Sequence, residues 1–396
     1  MKSVGIICEY NPFHNGHLYH INKIKDMFPE YNIILVLSSS FTERGEISIL
    51  NKFDKTKIAL EYGVDLVVEL PFPFATQSAD IFAKGAISIL NHLKCEYLVF
   101  GSESNNVDDL IMLANTQLDK NYDKLVKEYL DSGINYPTAM SKALKKLTNI
   151  EIKNPNDLLG LSYVKEIIKN NYTIKPITIQ RTNKYHDLKI KGNIISASAI
   201  RNLISNKKNI KKYVPTLTYK LINKNNFSEN LFNFLKYKII STKDLSIYQT
   251  VDEGIENRIN KYITTSNSLD ELIKNIKTKR YTYNKISRMF IHILCNFTKE
   301  EANKFNNISY IRVLGFNNKG KLYLSKVKKE IDIPIITNPK SYDDKMLYLE
   351  HRITNIYNLI TDNNTNDKLE KPIIKEWQLC HSIFYLQNYK HLDTYH

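Results

Sequence analysis

The sequence of 396 residues has no long hydrophobic run and no visible export signal. Its apolar runs, such as Ile33–Leu37, fall far short of the roughly 20 residues that a membrane-spanning helix needs. The chain passes from Met1-Lys2 into the strand-like run Val4–Cys8 without the apolar stretch and cleavage site of a secretory signal. With 42% hydrophobic and 24% charged residues, the composition is typical of a globular protein. We therefore expect a cytoplasmic protein.

Cysteine is scarce, and the four cysteines stand singly, at Cys8, Cys95, Cys295 and Cys380. Because no Cys-x-x-Cys pair is present, neither a structural zinc site nor a disulfide framework is expected. Three further patterns are missing: the GxxxxGK(S/T) element of P-loop enzymes, a GxGxxG element after the first strand, and an aspartate cluster. These absences argue against P-loop chemistry, dinucleotide redox chemistry and a protein-bound metal.

Arginine is also scarce, since only eight of the 56 basic residues are arginine, and the net charge of +15 is unevenly distributed. Residues 1–150 contain 15 Lys and Arg against 18 Asp and Glu, whereas residues 151–396 contain 41 against 23. The excess is concentrated in residues 201–350, with 28 basic and 14 acidic residues. Such asymmetry is typical of a chain in which one part performs chemistry and another binds a polyanion, although a solvated lysine-rich surface would give the same count.

The first half of the chain alternates short, branched apolar runs with helical patterns. The apolar runs are Val4–Cys8, Ile33–Leu37, Leu66–Leu70, Tyr97–Phe100 and Pro176–Gln180, and the helical patterns include His17–Met27, Lys52–Tyr62, Ser78–Leu93 and much of 108–168. A further helix is opened by Ile194–Ser205. This alternation predicts an α/β fold with a Rossmann-like parallel sheet, whose ligands bind at the carboxyl ends of the strands.

The length of the chain predicts two domains. Beyond residue 205 the composition changes to Lys- and Asn-rich helical segments. The elements predicted there include helices at Asn230–Ile240 and Glu253–Ile263, strands at Ile308–Leu314 and Ile333–Ile336, and a turn at Gly315–Lys321. We expect a first domain at residues 1–205 that contains the parallel sheet, and a mainly helical, basic domain with a few strands at residues 206–396.

The strongest motif directly follows the first predicted strand and reads Glu9-Tyr10-Asn11-Pro12-Phe13-His14-Asn15-Gly16-His17. His14 and His17 share one face at the opening of a helix, where free N–H groups and the helix dipole attract phosphate. Two imidazoles placed there can donate hydrogen bonds to an α-phosphate under attack, and Gly16 leaves room for a nucleotide beside the backbone. A zinc site is the main alternative, although no third ligand is visible, and a packing role is the other.

A second motif, Ile195-Ser196-Ala197-Ser198-Ala199-Ile200-Arg201, places small hydroxylated residues at the start of a helix. Its N–H groups can bind phosphate, and Arg201 can clamp the β- and γ-phosphates in a bidentate manner. Alone, a serine-capped helix with one arginine is usually only a helix. The histidine pair upstream makes a phosphate site the favoured interpretation.

Three further segments follow predicted strands. Gly101-Ser102-Glu103 either lets an adenine or ribose lie against the backbone or forms an ordinary turn. Glu43-Arg44-Gly45-Glu46 places an arginine where a phosphate or RNA could be met. Arg181 could touch the nucleotide, whereas His186 and Asp187 could pair with each other and hold their loop. The roles of these segments stay open at the level of sequence.

The two motifs, with this spacing and strand context, resemble the HxGH nucleotidyltransferase superfamily, and the resemblance implies that residues 1–205 form a nucleotidyltransferase-like catalytic domain. Other stretches resemble one family within it, the bacterial tRNA(Met) cytidine acetate ligases, over nearly the whole chain to about residue 340. They are Glu43–Glu46, Asp65–Pro71, Ala75–Asp80, Phe100–Glu103, Tyr185–Asp187, Glu253–Arg258, Lys279–Thr282 and Arg312–Phe316. One departure concerns Ser39-Ser40 and Glu43-Arg44-Gly45, where the family usually reads Ser-Gly and Gln-Arg-Gly, which leaves the roles of Glu43 and Arg44 open.

The resemblance implies a reaction in two steps. Acetate attacks the α-phosphate of ATP, with Mg²⁺ accompanying the nucleotide, and gives acetyl-adenylate and pyrophosphate. The acetyl group then passes to N4 of the wobble cytidine of elongator tRNA(Met). The catalytic residues expected are His14, His17 and Arg201. The ATP-binding residues expected are Ile7, Cys8, Glu9, Tyr10, Asn11, Pro12, Phe13, His14, Asn15, Gly16, His17, Leu18, Tyr19, His20, Gly101, Asn156, Arg181, Thr182 and Ser198, with Asn154 as a competitor of Asn156.

The basic second half is expected to hold tRNA, mainly through phosphates. Lys279, Arg280 and Arg288 are predicted to fall on one helical stretch and to contact the tRNA. No protein-bound metal or prosthetic group is expected, and the small acid, the bases read and the oligomeric state leave no readable signature. Two alternatives remain: a small-molecule adenylyltransferase of cofactor biosynthesis, which shares the N-terminal motifs, and a non-catalytic RNA-binding relative that keeps the fold.

Overall fold

The computed structural model describes residues 2–181, 192–225, 230–278, 280–361 and 374–375. Its strands are β1 (Ser3–Cys8), β2 (Asn32–Ser38), β3 (Leu66–Leu70), β4 (Tyr97–Ser102), β5 (Lys175–Gln180), β6 (Ile311–Phe316), β7 (Ile335–Ile336) and β8 (Ile374–Lys375). Its helices in the first half are α1 (Asn15–Met27), α2 (Lys52–Glu61), α3 (Phe72–Ala75), α4 (Ala79–His92), α5 (Val107–Gln117), α6 (Lys120–Asp131), α7 (Tyr136–Thr148), α8 (Pro155–Lys169) and α9 (Ala197–Ser205).

The helices of the second half are α10 (Thr216–Asn225), α11 (Leu231–Ser241), α12 (Ile255–Ile263), α13 (Leu269–Ile276), α14 (Tyr283–Leu294), α15 (Lys299–Ala302), α16 (Asn318–Val327) and α17 (Lys345–Ile360). Short 3₁₀ helices lie at Leu245–Ile247 and Pro339–Ser341. None of the described helices combines the length and the apolarity that crossing a bilayer requires.

One mixed sheet organises the fold, with strand order β5-β4-β1-β2-β3-β6-β7 and with β8 beside β6. The strands β1 to β5 run parallel, and each is joined to the next through at least one helix, as in βαβ units. Strand β6 pairs antiparallel with β3, so that Leu66 faces Phe316 and Val68 faces Val313. The predicted α/β fold with a Rossmann-like parallel sheet is confirmed.

Both faces of the sheet are covered, which explains why β2 is apolar along most of its length. All seven residues of β2 are buried. Ile34 and Val36 pack in a cluster with residues of α4, whereas Ile33, Leu35 and Leu37 pack on the opposite face with residues of α1 and α2. A parallel strand between two layers of helices buries the side chains on both of its faces, so apolar residues are favoured at every position rather than at alternate ones.

The predicted turn at Gly315–Lys321 is wrong. Strand β6 continues to Phe316, and α16 begins at Asn318. The side chain of Asn317 caps the helix by accepting a hydrogen bond from the backbone N–H of Gly320 at 3.0 Å. A capping residue alone therefore separates strand from helix, because asparagine satisfies the free N–H groups of the first helical turn.

The second half of the chain contributes to the sheet and to the packing of the first half. Strand β6 lies beside β3, and a hydrophobic cluster among α11 to α14 and α17 includes Phe41, Ile47 and Phe72 of the first half. The predicted boundary near residue 205 therefore does not leave the whole sheet within residues 1–205. The division into two domains stays a prediction.

A buried ionic network fixes β6 against β3. The Glu69 carboxylate accepts hydrogen bonds from Lys52 Nζ at 2.7 Å and from Arg312 at 2.9 Å, and none of the three side chains is more than 3% exposed. Nearby, Glu350 accepts a hydrogen bond from the backbone N–H of Phe72, and burial raises the pKa of Glu350 to about 8. Removal of one member would leave an uncompensated buried charge, which is strongly destabilising. The network therefore favours the pairing of β6 with β3, which brings all three side chains together.

The strand order reverses at β1. The chain proceeds from β1 outward through β2 to β3 and then returns to place β4 on the other side of β1. The connections that follow β1 and β4 therefore leave the sheet in opposite directions and open a crevice at the carboxyl ends of these strands. The segment Glu9–His17 lies at this crevice.

Candidate active site

A cleft of about 660 Å³ opens where β1, β4 and β5 end. Its walls also include the loop after β2, the starts of α8 and α9, and the start of α14 from the second half. The predicted nucleotide residues that line it are Ile7, Cys8, Glu9, Tyr10, Asn11, His14, Gly16, His17, Tyr19, His20, Gly101, Asn156, Arg181, Ser198 and Arg201. Pro12, Phe13, Asn15 and Leu18 are not among the lining residues, and Thr182, His186 and Asp187 lie outside the described residues.

Two of the predicted residues that do not line the cleft support it from behind. Phe13 is completely buried, and its ring lies 4.7 Å from the ring of Tyr10. Asn15 donates hydrogen bonds from Nδ2 to the carbonyl oxygens of Asn193 at 2.8 Å and of Lys212 at 3.0 Å. Asn15 therefore holds the first turn of α1 against two segments, the one before α9 and the one after it.

His14 and His17 are held by the first turn of α1. Nδ1 of His14 accepts a hydrogen bond from the backbone N–H of Gly16 at 3.0 Å, and Nδ1 of His17 accepts one from the backbone N–H of His14 at 3.2 Å. The two rings stack with centroids 3.8 Å apart. Because each Nδ1 acts as an acceptor, the proton of each neutral ring lies on Nε2. Each histidine therefore keeps one N–H donor that the backbone does not use.

The histidines are neutral at physiological pH. Burial, with the nearby Arg181 and Arg201, lowers the pKa of His14 to about 3. Burial and the neighbouring His14 hold the pKa of His17 well below its usual value, and burial beside Arg181 lowers that of His20 to about 4. Two stacked imidazolium ions in one cleft would repel each other, so neutrality is what the geometry favours. The pair can donate hydrogen bonds to a phosphate without carrying charge.

Gly16 makes room for the ring of His14. A Cβ atom on Gly16 would lie 2.8 Å from Cε1 and 3.0 Å from Nδ1 of His14, closer than side-chain carbons normally approach. The sequence predicts that this space serves a nucleotide, and this stays a prediction; in the structure the imidazole of His14 lies against the glycine. The glycine acts through His14, whose ring folds back over the helix N-terminus.

Arg201 reaches the cleft from α9 and has an anionic partner there. Its guanidinium donates to Glu46 Oε1 at 2.7 Å, to the carbonyl oxygen of Asn11 at 2.9 Å and to Ser198 Oγ at 3.4 Å. Ser196 caps α9 by accepting from the backbone N–H of Ala199 at 3.2 Å. The structure thus brings the two motifs together, with Glu46 as a partner that the sequence did not reveal.

Arg288 belongs to the cleft rather than to an exposed basic surface. It lies on α14 and donates to Glu43 Oε1 at 2.9 Å, with 16% of its side chain exposed. Ser287 holds the same loop by donating to the carbonyl oxygen of Gly45 at 2.9 Å. Arg280, by contrast, precedes α14, is 73% exposed and lies 3.8 Å from Glu253. The predicted common helical stretch is therefore wrong for Arg280, and Lys279 lies outside the described residues.

The end of β4 is organised by α8. Asp157 is buried and accepts hydrogen bonds from Ser102 Oγ at 2.5 Å and from the backbone N–H of Glu103 at 3.0 Å. Asn156 donates from Nδ2 to Glu103 Oε1 at 2.5 Å and lines the cleft. Asn154 precedes α8, donates from Nδ2 to Asp157 Oδ2 at 3.2 Å and does not line the cleft. Of the two asparagines that compete in sequence, Asn156 is the one at the cleft.

Arg181 crosses the end of β4 over Gly101. A Cβ atom on Gly101 would lie 3.3 Å from Cγ of Arg181, so the glycine gives this side chain its path. Arg181 Nε lies 3.7 Å from Glu103 Oε1, and burial lowers the pKa of the guanidinium without discharging it. Together with Arg201, Arg181 makes the cleft electropositive next to the histidine pair.

Glu9 directly follows β1, and Lys55 of α2 reaches the ends of β1 and β2 with its side chain. Glu9 lines the cleft and accepts a hydrogen bond through Oε1 from the backbone N–H of Glu43 at 2.6 Å, and burial raises its pKa to about 7. The buried Lys55 donates to the carbonyl oxygens of Glu9, Ser38 and Ser39 at 3.0, 2.6 and 2.7 Å. Lys55 therefore satisfies carbonyl groups that the sheet leaves unpaired, and sequence periodicity gave no sign of this role.

No group of three or more His, Cys, Asp or Glu side chains within the described ranges could hold a metal ion.

Two residues of the second half, Thr282 and Asn284, line the cleft beside Arg288. Sequence reasoning missed them because helix α14 is separated from the first motif by more than half of the chain. What the cleft offers is therefore two neutral imidazole donors, carboxylates from the loops after β1 and β2, and four arginines, which are Arg44, Arg181, Arg201 and Arg288.

Comparisons with known proteins find matches over most of the chain. The family model described as HIGH Nucleotidyl Transferase matches residues 1–371. The tRNA(Met) cytidine acetate ligase of Anoxybacillus flavithermus is 41% identical over 378 residues, which cover 90% of this chain and 94% of the relative. The enzyme of the same name from Oceanobacillus iheyensis is 39% identical over 392 residues, which cover 94% of this chain and 98% of the relative.

Two solved structures are also similar to this chain over most of its length. The crystal structure of apo Thermotoga maritima TmcAL matches with a TM-score of 0.83 at 30% sequence identity, covering 91% of this chain and 95% of that one. The structure of the same protein bound with alpha-thio ATP matches with a TM-score of 0.82 at 32% identity, covering 91% and 94%. The similarity thus extends over both halves of the chain.

Proposed function

The chain belongs to the tRNA(Met) cytidine acetate ligase family of HIGH nucleotidyltransferases, and from that membership we propose that it uses ATP to join acetate to N4 of the wobble cytidine of elongator tRNA(Met). The observation that carries the proposal is the pair of stacked, neutral histidines at the N-terminus of α1. Two uncharged N–H donors and a helix dipole meet there, at the switch point of a parallel sheet. Such a site stabilises a phosphate that is being attacked without forming a covalent intermediate.

In the first step a carboxylate oxygen of acetate attacks the α-phosphorus of ATP. The bond between the α-phosphorus and the bridging oxygen of pyrophosphate breaks, and acetyl-adenylate forms. Nε2–H of His14 and of His17 donate to the oxygens of the α-phosphate, on which negative charge develops. Because both rings are neutral, they do not need to lose a proton before or after the step. ATP enters with Mg²⁺, which the triphosphate itself carries.

Ser198 and Arg201 hold the leaving pyrophosphate. Arg201 already binds an anion in the structure, the Glu46 carboxylate, so phosphate binding exchanges one anionic partner for another. A planar guanidinium can bridge two phosphate oxygens. The nucleoside part of ATP lies against the ends of β4 and β5, where Gly101, Asn156 and Arg181 line the cleft.

In the second step the exocyclic amine of the cytidine attacks the acetyl carbon, and AMP leaves. The tRNA is held mainly through its phosphates by the basic second half, including the exposed Arg280, and the anticodon base is turned out of its stack into the cleft. We assign Arg288 to the support of the loop Thr42–Glu46 instead, because its guanidinium is engaged by Glu43. An enzyme that acts on tRNA in this way works in the cytoplasm.

The test is ATP–pyrophosphate exchange in the absence of tRNA. We expect radioactive pyrophosphate to enter ATP only when acetate is present, because acetyl-adenylate formation is reversible. Exchange that requires a different small molecule instead of acetate would place the chain among the small-molecule adenylyltransferases. A protein that binds tRNA but shows no exchange with any small acid would be a non-catalytic relative.

A further inference from the structure

Acetyl transfer to cytidine needs a proton acceptor in the cleft. The exocyclic amine of cytidine shares its lone pair with the pyrimidine ring, so it attacks poorly unless a proton leaves as the new bond forms. The histidines do not serve this purpose, because the pKa of His14 is lowered to about 3 by burial and its N–H is a donor. Cys8 does not serve either, because burial raises its pKa to about 12.

Three carboxylates line the cleft, and they differ in their partners. Glu43 is 2.9 Å from Arg288, and Glu46 is 2.7 Å from Arg201. Glu9 makes no ion pair with any of the described residues, and its Oε1 accepts a single backbone hydrogen bond, from Glu43. An arginine-paired carboxylate is a weak base, whereas a half-buried carboxylate without a cation is a stronger one. Glu9 is thus the carboxylate of the cleft that is best suited to accept a proton.

We propose that Glu9 is the general base that takes the proton from the N4 amine during acetyl transfer. The proposal rests on the proposed function and adds a residue to its second step. The bond between N4 and the acetyl carbon forms, and the bond between that carbon and the phosphate oxygen of AMP breaks. The electron pair of the broken bond leaves with AMP, and the proton of N4 passes to the carboxylate of Glu9.

The position of Glu9 fits this role. It follows β1 directly and lines the same cleft as His14 and His17, five and eight positions further along the chain. Its side chain is oriented by the backbone N–H of Glu43 at 2.6 Å, and its backbone carbonyl is held by Lys55 at 3.0 Å. A proton acceptor works best when its pKa is near the operating pH, and burial raises the pKa of Glu9 to about 7.

The electrostatic surroundings of Glu9 come from four elements. The titratable and charged groups that act on it are Cys8 from β1, Glu43, Arg44 and Glu46 from the loop after β2, Lys55 from α2 and Tyr163 from α8. Glu43 and Glu46 raise the pKa of Glu9, and Arg44 lowers it, after the larger effect of burial. The active form is the carboxylate, so transfer should accelerate as the pH rises through about 7 and then level off.

The test separates the two half-reactions in a Glu9→Gln variant. Glutamine keeps an oxygen that can accept the hydrogen bond from Glu43 but cannot take a proton. Acetate-dependent pyrophosphate exchange, and trapping of acetyl-adenylate by hydroxylamine as acetohydroxamate, report the first step, in which Glu9 only lines the ATP cleft, and should fall at least about 10-fold less than acetyl transfer. The single-turnover rate of tRNA(Met) acetylation should fall by about 10²-fold or more, which is the usual contribution of a general base. The rate should also no longer increase with pH. Glu9→Asp should restore part of the rate, and the exposed Glu61→Gln should change nothing.

Each other outcome has a distinct meaning. Unchanged acetylation in Glu9→Gln would show that Glu9 is not the base. An equal fall in exchange, hydroxamate formation and acetylation would show that Glu9 only supports the loop Thr42–Glu46, and would overturn the proposal. If the unmodified protein forms no acetohydroxamate from ATP and acetate, the proposed function itself fails, independently of Glu9.

Discussion

Substitution of Gly16 by alanine should separate activity from stability. The added Cβ would lie 2.8 Å from Cε1 of His14, whereas ordinary contacts begin at 3.4 Å, so the imidazole must move by roughly 0.6 Å. The movement displaces Nε2–H of His14 and weakens the hydrogen bond from Gly16 N–H to Nδ1. Misplacement of a reacting group on this scale lowers rates by about 10- to 10²-fold. We expect acetate-dependent pyrophosphate exchange to fall by that factor.

The same substitution should leave the fold intact. Alanine in a helix is favoured over glycine by about 0.5–1 kcal/mol, which offsets the loss of a capping hydrogen bond of similar size. The free energy of unfolding should therefore stay within about 1 kcal/mol of the unmodified protein, measured by denaturant titration. Asn22→Ala, at an exposed position of the same helix, is the control and should leave exchange unchanged. Normal exchange by a folded Gly16→Ala variant would refute the assignment of His14 to the α-phosphate.

Three further predictions follow from the cleft. His14→Ala or His17→Ala should lower pyrophosphate exchange by about 10²- to 10³-fold without changing the circular dichroism spectrum, and normal rates in both would remove the pair from the mechanism. Arg201→Ala should raise the KM for ATP far more than the Kd for tRNA, and Arg201→Lys should restore part of the ATP affinity. Equal increases of the KM for ATP and the Kd for tRNA would indicate that Arg201 contacts the RNA instead. Arg280→Gln should weaken tRNA binding and reduce the salt slope by about one or less, with exchange unaffected; an unchanged slope would mark Arg280 as solvated surface.

The elements that depend on local pattern could be predicted from the sequence. Strands β1 to β4 and the helices α1, α2 and α4 lie within two residues of their predicted bounds, because apolar runs and helical periodicity are local signals. The short helix α3 was not predicted. The histidine pair could be found for the same reason, since its spacing, the glycine and the preceding strand lie within one short segment. The α/β class then placed this segment at the carboxyl ends of the strands.

Contacts between distant parts of the chain could not be predicted in this way. The charge of Arg288 predicts an RNA contact, which stays a prediction, whereas its carboxylate partner Glu43 follows from the packing of α14 on the loop Thr42–Glu46 and has no local signal. Strand β6 was recognised as a strand, yet nothing local reveals that it joins β3 through Glu69 and Arg312. The role of Gly16 also depends on a rotamer, that of His14, which a sequence pattern does not specify.

The most direct test of the account is mass spectrometry of tRNA nucleosides after incubation of the purified protein with ATP, isotopically labelled acetate and total tRNA from a strain that lacks the modification. The proposed reaction yields labelled N4-acetylcytidine at the wobble position of elongator tRNA(Met), with AMP and pyrophosphate as the other products. Omission of ATP or of acetate should abolish the label. Unmodified tRNA accompanied by an adenylylated small molecule, or label in a nucleoside other than cytidine, would contradict the account.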